Sequence, residues 1–517
     1  MMVDRLATEK RPLTLVFGLV LIVLILTGTV ADVAAQPANA DRTSGSDVAA
    51  AATVPFFTDD FPPEEFAERR SRILDEIGPR AAAIIQGAPS PEGYVKFRQS
   101  NEFYYLTGIE VPHAYLLLDG SSRRATIFLP HRNDARERGE GRLLSAEDDA
   151  FLRDNLGFDD VAGVELLAER LGRLTRSVDV LYTPLSPAEG LAESRDLGYR
   201  VIADIASDPW DGRPSREGHF VQLLRQRFPA FEIADLSPTL DRMRLIKSPR
   251  ELDLIRKATV LSGLALLEAM RSTEPGIREY ELDALAKYIY HRNGAQGDAY
   301  YSLVAGGVNA YRPHYHAGRD VLRDGELVLM DYAPDVRYYM SDVTRVWPVN
   351  GQFSDDQRDL YAFYLGAYRA ILDHIGPGFT ASEIMSRAAT DMDAILERSS
   401  FSKSEYRRAA ENFVESYRSR SGSPYASLGH WVGMATHDVG RNDGPLRPGM
   451  VFTIEPALRV PEEEIYIRLE DLIIITENGK EVVSEFVPMD IDEIEQLMRE
   501  EGMLQRYPAA VIETMLP

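Results

Sequence analysis

The sequence contains no cysteine. That excludes a disulfide framework, a thiolate zinc site, an iron–sulfur cluster and a cysteine nucleophile. It leaves the compartment open, because an exported protein can fold without disulfides. Basic residues are outnumbered: 57 Lys and Arg against 81 Asp and Glu give a formal net charge of -24. General attraction to a phosphate backbone is thereby disfavoured, and nucleic acid is not an expected partner. There is no short-period repeat, and the pair Gly306-Gly307 lacks the following lysine of a phosphate-binding loop. Long hydrophobic runs are also scarce; residues 13–30 are the exception.

That run has the flanks of a targeting segment. Arg5, Lys10 and Arg11 precede it, and Ala31, Ala34, Ala35, Ala38 and Ala40 follow. A positive flank, an apolar middle and a small-residue end are the layout of a secretory signal. A run of about 18 apolar residues can also span a bilayer. Residues 1–40 are therefore read as a signal peptide or an N-terminal anchor, with 41–55 as a disordered linker. The protein is expected to be exported, periplasmic or secreted, with residues 13–30 as the alternative membrane anchor.

A chain of 517 residues is too long for one ordinary core and predicts two domains plus tails. Residues 57–79 read as a helix carrying Phe66, Ile73 and Ile77 on one side. Short apolar runs at 81–86, 115–118, 126–129 and 178–182 read as strands, with a helix over 164–174. This alternation predicts an α/β domain over 56–246. Lys247-Ser248-Pro249-Arg250-Glu251 opens a second domain, 247–492. Ser248 suits an N-cap, Pro249 the first helical position, and Glu251 completes a capping box. That helix runs through Ile255, Ala258, Leu261 and Ala265, and a second covers 279–292. Strands follow at 327–330, 338–349, 450–458 and 465–476, with helices at 353–375 and 381–398. Helices and strands without strict alternation give an α+β domain. Residues 493–517 read as a C-terminal tail.

The second domain holds the chemistry. Asp331 ends one apolar strand, and Asp342 lies eleven residues on in Ser341-Asp342-Val343-Thr344-Arg345. The two segments can pair as a hairpin across Pro334-Asp335, with both carboxylates on one face. Glu455 interrupts one apolar run and Glu470 precedes another, while His430 sits in Gly429-His430-Trp431-Val432-Gly433. A carboxylate in an apolar strand is costly unless paired, hydrogen-bonded or metal-bound. A salt bridge or strand end explains one such residue, but not four together with a histidine. Four carboxylates match the charge of two divalent cations. Oxygen-rich ligation with one imidazole suits Mn, and also Co, Fe or Zn. Two metals sharing a carboxylate can hold and activate one water. His314 and His437 complete the set, and His437-Asp438 after a glycine-containing loop fits a positioned proton donor or oxyanion stabiliser.

These residues resemble the pita-bread metallopeptidases, a family that includes aminopeptidase P, prolidase and methionine aminopeptidase. Asp331-Tyr332-Ala333 and Ser341–Pro348 are similar to its aspartate motifs. The stretch His430–Gly440 is similar to its histidine motif, closest to aminopeptidase P. Pro448–Pro456 and Ile467–Asp471 are similar to the two glutamate motifs. Residues 97–108, Phe97-Arg98-Gln99-Ser100-Asn101-Glu102-Phe103-Tyr104-Tyr105-Leu106-Thr107-Gly108, resemble the N-terminal domain of aminopeptidase P. The resemblance covers roughly residues 60–490. It implies an aminopeptidase P-type N-terminal domain followed by a pita-bread catalytic domain, and a dinuclear Xaa-Pro aminopeptidase. Asp342 and Glu470 would bridge the metals, with Asp331 on one ion and His430 and Glu455 on the other. A bridging hydroxide would attack the scissile carbonyl, and Glu455 would shuttle its proton. His314 and His437 would contact substrate and stabilise the tetrahedral intermediate, and Arg468 and Tyr300 would orient ligands from behind. A peptide is the implied substrate and a homo-oligomer the implied assembly.

Three departures from the family concern the proline pocket and the preferred peptide length. Ala426 stands where a histidine is usual. The 440–448 loop lacks an arginine-bearing insertion that Arg441 could replace, and the stretch between Glu455 and Glu470 is short. A prolidase, a metal-free peptide-binding module and a creatinase-like hydrolase are the alternative readings. The last two lose ligands that this chain keeps.

Overall fold

Strand β1 (Ala81–Gln86) is apolar and almost wholly buried, the pattern of a strand covered on both faces. It centres a mixed six-stranded sheet of order β4-β3-β2-β1-β5-β6. Its other strands are β2 (Tyr115–Asp119), β3 (Arg124–Leu129), β4 (Asp160–Gly163), β5 (Val180–Thr183) and β6 (Glu232–Asp235). Helix α1 (Pro63–Ile77) buries Phe66, Ile73 and Leu74, and the short helix α2 (Asn101–Thr107) is entirely buried. The computed structural model describes residues 59–190 and 194–508. The leader at 1–40 and the linker at 41–55 lie outside the described residues. Among the described residues no helix is long and apolar enough to cross a membrane.

Helix α3 (Ser237–Leu245) leads to α4 (Pro249–Ser272), which starts as its sequence predicts. Ser248 accepts from the Glu251 amide while the Glu251 side chain accepts from the Ser248 amide. Helix α5 (Glu279–Arg292) also matches its predicted span. Beyond these the polypeptide forms several small sheets. Strands β7 (Leu303–Gly306), β8 (Leu327–Asp331) and β9 (Thr344–Pro348) pair in the order β9-β8-β7. Strand β10 (Val451–Ile454) pairs with β13 (Asp471–Thr476), and β11 (Ala457–Val460) with β12 (Ile465–Arg468). Helices α6 (Asp355–Asp373), α7 (Ala381–Arg398) and α8 (Ser404–Ser421) lie between β9 and β10 in the chain. One hydrophobic cluster runs from Phe61 to Ile494. The segment read as a tail contains helices Ile491–Leu497 and Met503–Arg506, and the Met503 amide donates to Glu268 on α4.

Several predicted strands are broken. The run 338–349 is a strand only from Thr344, because Arg337 and Tyr338 adopt positive φ of 53° and 74°, outside the strand region. Tyr338 is held there by stacking on Tyr104, with centroids 3.6 Å apart. Its hydroxyl also accepts from the Gln99 amide at 2.8 Å. The expected hairpin pairing holds, with Thr344 opposite Asp331. Pro334-Asp335, however, is not its turn and pairs instead with Gly297-Asp298. The run 450–458 splits at Glu455-Pro456, and 465–476 splits at Leu469-Glu470.

Candidate metal centre

Those breaks bring the five sequence-derived ligands together. Asp331 is the last residue of β8, Asp342 lies two residues before β9, Glu455 follows β10, and Glu470 joins β12 to β13. His430 is carried by a segment that pairs with β10: the Thr453 amide donates to the His430 carbonyl at 2.9 Å, and Trp431 bridges Phe452. Thr344 bridges Glu470 through the backbone, so the β8–β9 hairpin and the β12–β13 corner meet at the site.

The side chains converge. Ligand atoms of Asp342, His430 and Glu470 all lie within 4.8 Å of one another. His430 Nε2 is 3.3 Å from Asp342, 3.7 Å from Glu455 and 3.9 Å from Glu470. The Tyr300 hydroxyl lies 2.5 Å from Asp331 Oδ1 and 2.6 Å from Asp342 Oδ1. Arg468 reaches Asp331 through Nη2 and Glu455 through Nη1, the latter at 3.4 Å. Thr344 Oγ1 donates to Glu470 Oε2 at 2.7 Å and accepts from Arg468 at 3.1 Å.

The electrostatics call for cations. Four carboxylates face one guanidinium. Burial, then the neighbouring Asp331, holds the Asp342 carboxyl well above the usual carboxylate range. Burial, then Asp342 and Glu455, does the same to Glu470. Burial alone would lower the Arg468 guanidinium, but Asp331 and Glu470 outweigh it and raise it further. Glu470 Oε1 is buried with no hydrogen-bond partner, a state that protein interiors avoid. His430 Nδ1 donates to the Trp431 carbonyl at 3.2 Å, which leaves the Nε2 lone pair facing carboxylate oxygens. An acceptor aimed at acceptors is what a cation between them requires. The residues therefore fit a divalent-metal centre of oxygen ligands and one imidazole.

His437 lies beside the group whose ligand atoms converge. Its ring stacks on His430 with centroids 3.9 Å apart. The residue is open to solvent on one side, and the packing of the other, with His430, His314 and Arg468 nearby, holds its pKa below the usual imidazole value. At neutral pH it is an uncharged imidazole able to donate one N–H. His314 is exposed on the loop after the Gly307–Tyr311 turn of 3-10 helix, within electrostatic range of His437. Ala426 is buried, and Arg441 is exposed and paired with Asp443 at 2.7 Å.

Sequence reasoning missed a buried charge network behind His437. Asp438 turns away from the site and pairs with Arg244 at 2.5 Å and Lys247 at 3.1 Å. Burial would raise its carboxyl; Arg244 and Lys247 outweigh that and lower it. Arg244 continues to Glu189 at 2.8 Å and Glu102 at 3.2 Å, and Arg195 joins Glu102 at 2.5 Å. Asn101 Nδ2 donates to the Met434 carbonyl at 3.0 Å, and Ser194 bridges His437 through the backbone. Thr344 was missed too; its β-branched side chain in a strand gives no signal of a bond to Glu470.

Both halves of the chain have counterparts among known proteins. The profile of metallopeptidase family M24 matches residues 253–477, and that of the aminopeptidase P N-terminal domain matches residues 66–182. The Xaa-Pro aminopeptidase of Escherichia coli is 32% identical over 454 residues, covering 84% of this chain and 97% of the relative. That of Haemophilus influenzae is 30% identical, with 84% and 97% covered. The structure of aminopeptidase P from E. coli with the inhibitor Pro-Leu superposes with a TM-score of 0.69 at 29% identity, covering 85% of this chain and 99% of that one.

Proposed function

The chain belongs to metallopeptidase family M24, in its aminopeptidase P branch, and from that premise we infer that it removes the N-terminal residue from peptides with proline in second position. The observation that carries this reading is the convergence of Asp331, Asp342, His430, Glu455 and Glu470 on one pocket, with Arg468 and Tyr300 behind them. A metal-free binding module has no use for that many buried carboxylates, and similarity that spans both halves of the chain favours the aminopeptidase over a prolidase.

In the reading we favour, Asp331, Asp342, His430, Glu455 and Glu470 would hold two divalent cations between them. When bound, such a pair supplies Lewis acidity and a water of lowered pKa. The protein's own groups do the rest. Tyr300 and Arg468 fix Asp331, Asp342 and Glu455 in place, which holds ligand geometry. Glu455, beside His430 and only partly buried, accepts a proton from the attacking water and returns it to the departing proline nitrogen. Neutral His437 donates its N–H to the developing oxyanion, and His314 contacts the peptide from the facing loop. We propose manganese as the metal, with cobalt, iron or zinc also suited to the donor set.

We further propose that the basic-flanked run within residues 1–40 directs export, by cleavage or as an anchor, and that the enzyme works as a homo-oligomer, as the family resemblance implies. The activity is tested with the chain lacking its first 40 residues. It is supplied in turn with manganese, cobalt and zinc, and assayed on Xaa-Pro, Xaa-Pro-Yaa and Xaa-Ala-Yaa peptides. Cleavage confined to Xaa-Pro dipeptides would make it a prolidase; no cleavage with any metal would refute the peptidase reading.

A further inference from the structure

The β11–β12 hairpin presents two unlike faces. Ala457 stands opposite Arg468, and Arg459 opposite Tyr466. Directly opposed residues of an antiparallel pair share a face, so these four line one side. Leu458, Val460 and Ile467, on the other side, are fully buried in the core. The first side leads to the metal centre, because Arg468 touches Asp331 and Glu455. Arg459 lies two residues further out, about 7 Å along the strand.

Arg459 is held but not neutralised. Its guanidinium stands 4.6 Å from the Tyr466 ring and 5.5 Å from the Tyr311 ring, and Nη1 donates to the Tyr311 carbonyl at 3.2 Å. Among the described residues no carboxylate pairs with it, although acids are close in sequence. Glu462 pairs with Arg408 on α8 at 2.6 Å and Glu463 with Lys403, the residue that precedes α8, at 2.9 Å. Two of the three acids of the hairpin turn are thus committed elsewhere, in a chain with 81 acidic residues against 57 basic ones. Tyr311 lies three residues before His314, so the residue that supports Arg459 begins the loop assigned to substrate contact. The remaining N–H groups of a guanidinium fixed on two rings form a ready fork for a planar anion.

We propose that Arg459 is a specificity-determining residue of the cleft that binds a carboxylate of the peptide substrate, an assignment that rests on the peptidase reading above. Glu455 and Arg459 are four residues apart across the break at Glu455-Pro456, a span of at most about 14 Å. An extended peptide has the same reach per residue, so the carboxylate belongs within two to four residues of the scissile bond. It is either the C-terminus of a short peptide or the side chain of an acidic residue.

The experiment uses the metal-loaded enzyme and its Arg459→Gln and Arg459→Lys variants. Xaa-Pro-Yaa peptides of three to five residues are compared as free acids and as amides, and as Glu- and Gln-containing pairs at each position. The wild type is expected to favour one carboxylate-bearing series by roughly tenfold in kcat/KM, mainly through KM. Arg459→Gln should erase that preference while cleaving the amide or Gln series at the wild-type rate, and Arg459→Lys should keep part of it. Preference in the acid–amide arm assigns the C-terminus; preference in a Glu–Gln arm assigns a side chain. Equal rates on both series in the wild type, or a preference that survives Arg459→Gln, would overturn the proposal. An enzyme that cleaves none of the peptides would instead refute the peptidase reading itself.

Discussion

Asp342→Asn separates the charge of the candidate centre from its shape. Asp342 and Glu470 offer oxygens within 4.8 Å of each other. Two unit negative charges at that distance repel by ~3.5 kcal/mol at an effective dielectric constant of 20. In metal-free protein nothing offsets this fully, and burial together with Asp331 and Asp342 holds the Asp342 and Glu470 carboxyls high. An acid raised in the folded state gives stability that is present below its unfolded pKa, near 4, and lost as pH rises through the folded value. Metal-free wild type should therefore melt at lower temperature as pH rises from about 4 through neutrality. Asparagine keeps the size and removes one charge. The metal-free variant should melt at or above the metal-free wild type, by a margin that widens with pH. With metal present the order reverses, since a ligand at a hundred times its Kd stabilises by about 2.7 kcal/mol and the variant binds fewer ions. Metal content, calorimetry with and without chelator at pH 5 and pH 8, and turnover on one preparation decide the matter. Full occupancy with full turnover would remove Asp342 from the site. A metal-free variant melting well below its wild-type counterpart would refute the electrostatic reasoning.

His437→Ala should keep the wild-type metal content and lose about a hundred- to a thousand-fold in turnover; lost metal with the same variant would instead make it a ligand. Because the folded ring's pKa is held below the unfolded value of about 6.5, it contributes stability that is present above about 6.5 and lost as pH falls through the folded value. His437→Ala should flatten that limb of the stability profile. Arg244→Met leaves Glu102, Glu189 and Asp438 without their shared cation, and breaking one partner of a buried ion pair costs about 3–5 kcal/mol. Urea unfolding measures it, and a change under 1 kcal/mol would contradict the network. Fractionation of the producing cell should find the protein outside the cytosol; a soluble cytosolic form with its N-terminus intact would end the export reading.

Four of the five ligands could be read because each breaks a local rule, a carboxylate set in or beside apolar strand sequence; His430 was read from its glycine-flanked motif beside them. Helix α4 could be read because Ser248, Pro249 and Glu251 satisfy backbone groups within a few residues of themselves. What escaped depends on partners far away in sequence. Tyr338 leaves the strand conformation for a ring at position 104. Helix α8 carries so many charges that its buried face, Tyr406, Phe413 and Tyr417, is diluted. Asp438 looked like the partner of its neighbour His437, whereas its side chain belongs to Arg244 on α3, 194 residues away. Arg459 resembles an ordinary surface charge until the hairpin register puts it on the face of Arg468.

The network around Arg244 also bears on how this enzyme can be recombined. Glu102 and Asn101 come from the N-terminal sheet region, Asp438 from the catalytic half, and Arg244 from the helix between them. A chimera joined between the two halves would inherit one set of charges from each parent. Unless both parents carry matching groups, a buried ion would be stranded directly behind His437. The unit that must be exchanged intact is therefore the charge set of Asn101, Glu102, Glu189, Arg195, Arg244 and Asp438. Crossovers that keep those six from one parent avoid the stranded ion, and the Tyr104–Tyr338 stack and the Gln99–Tyr338 bond between the halves must be kept with them.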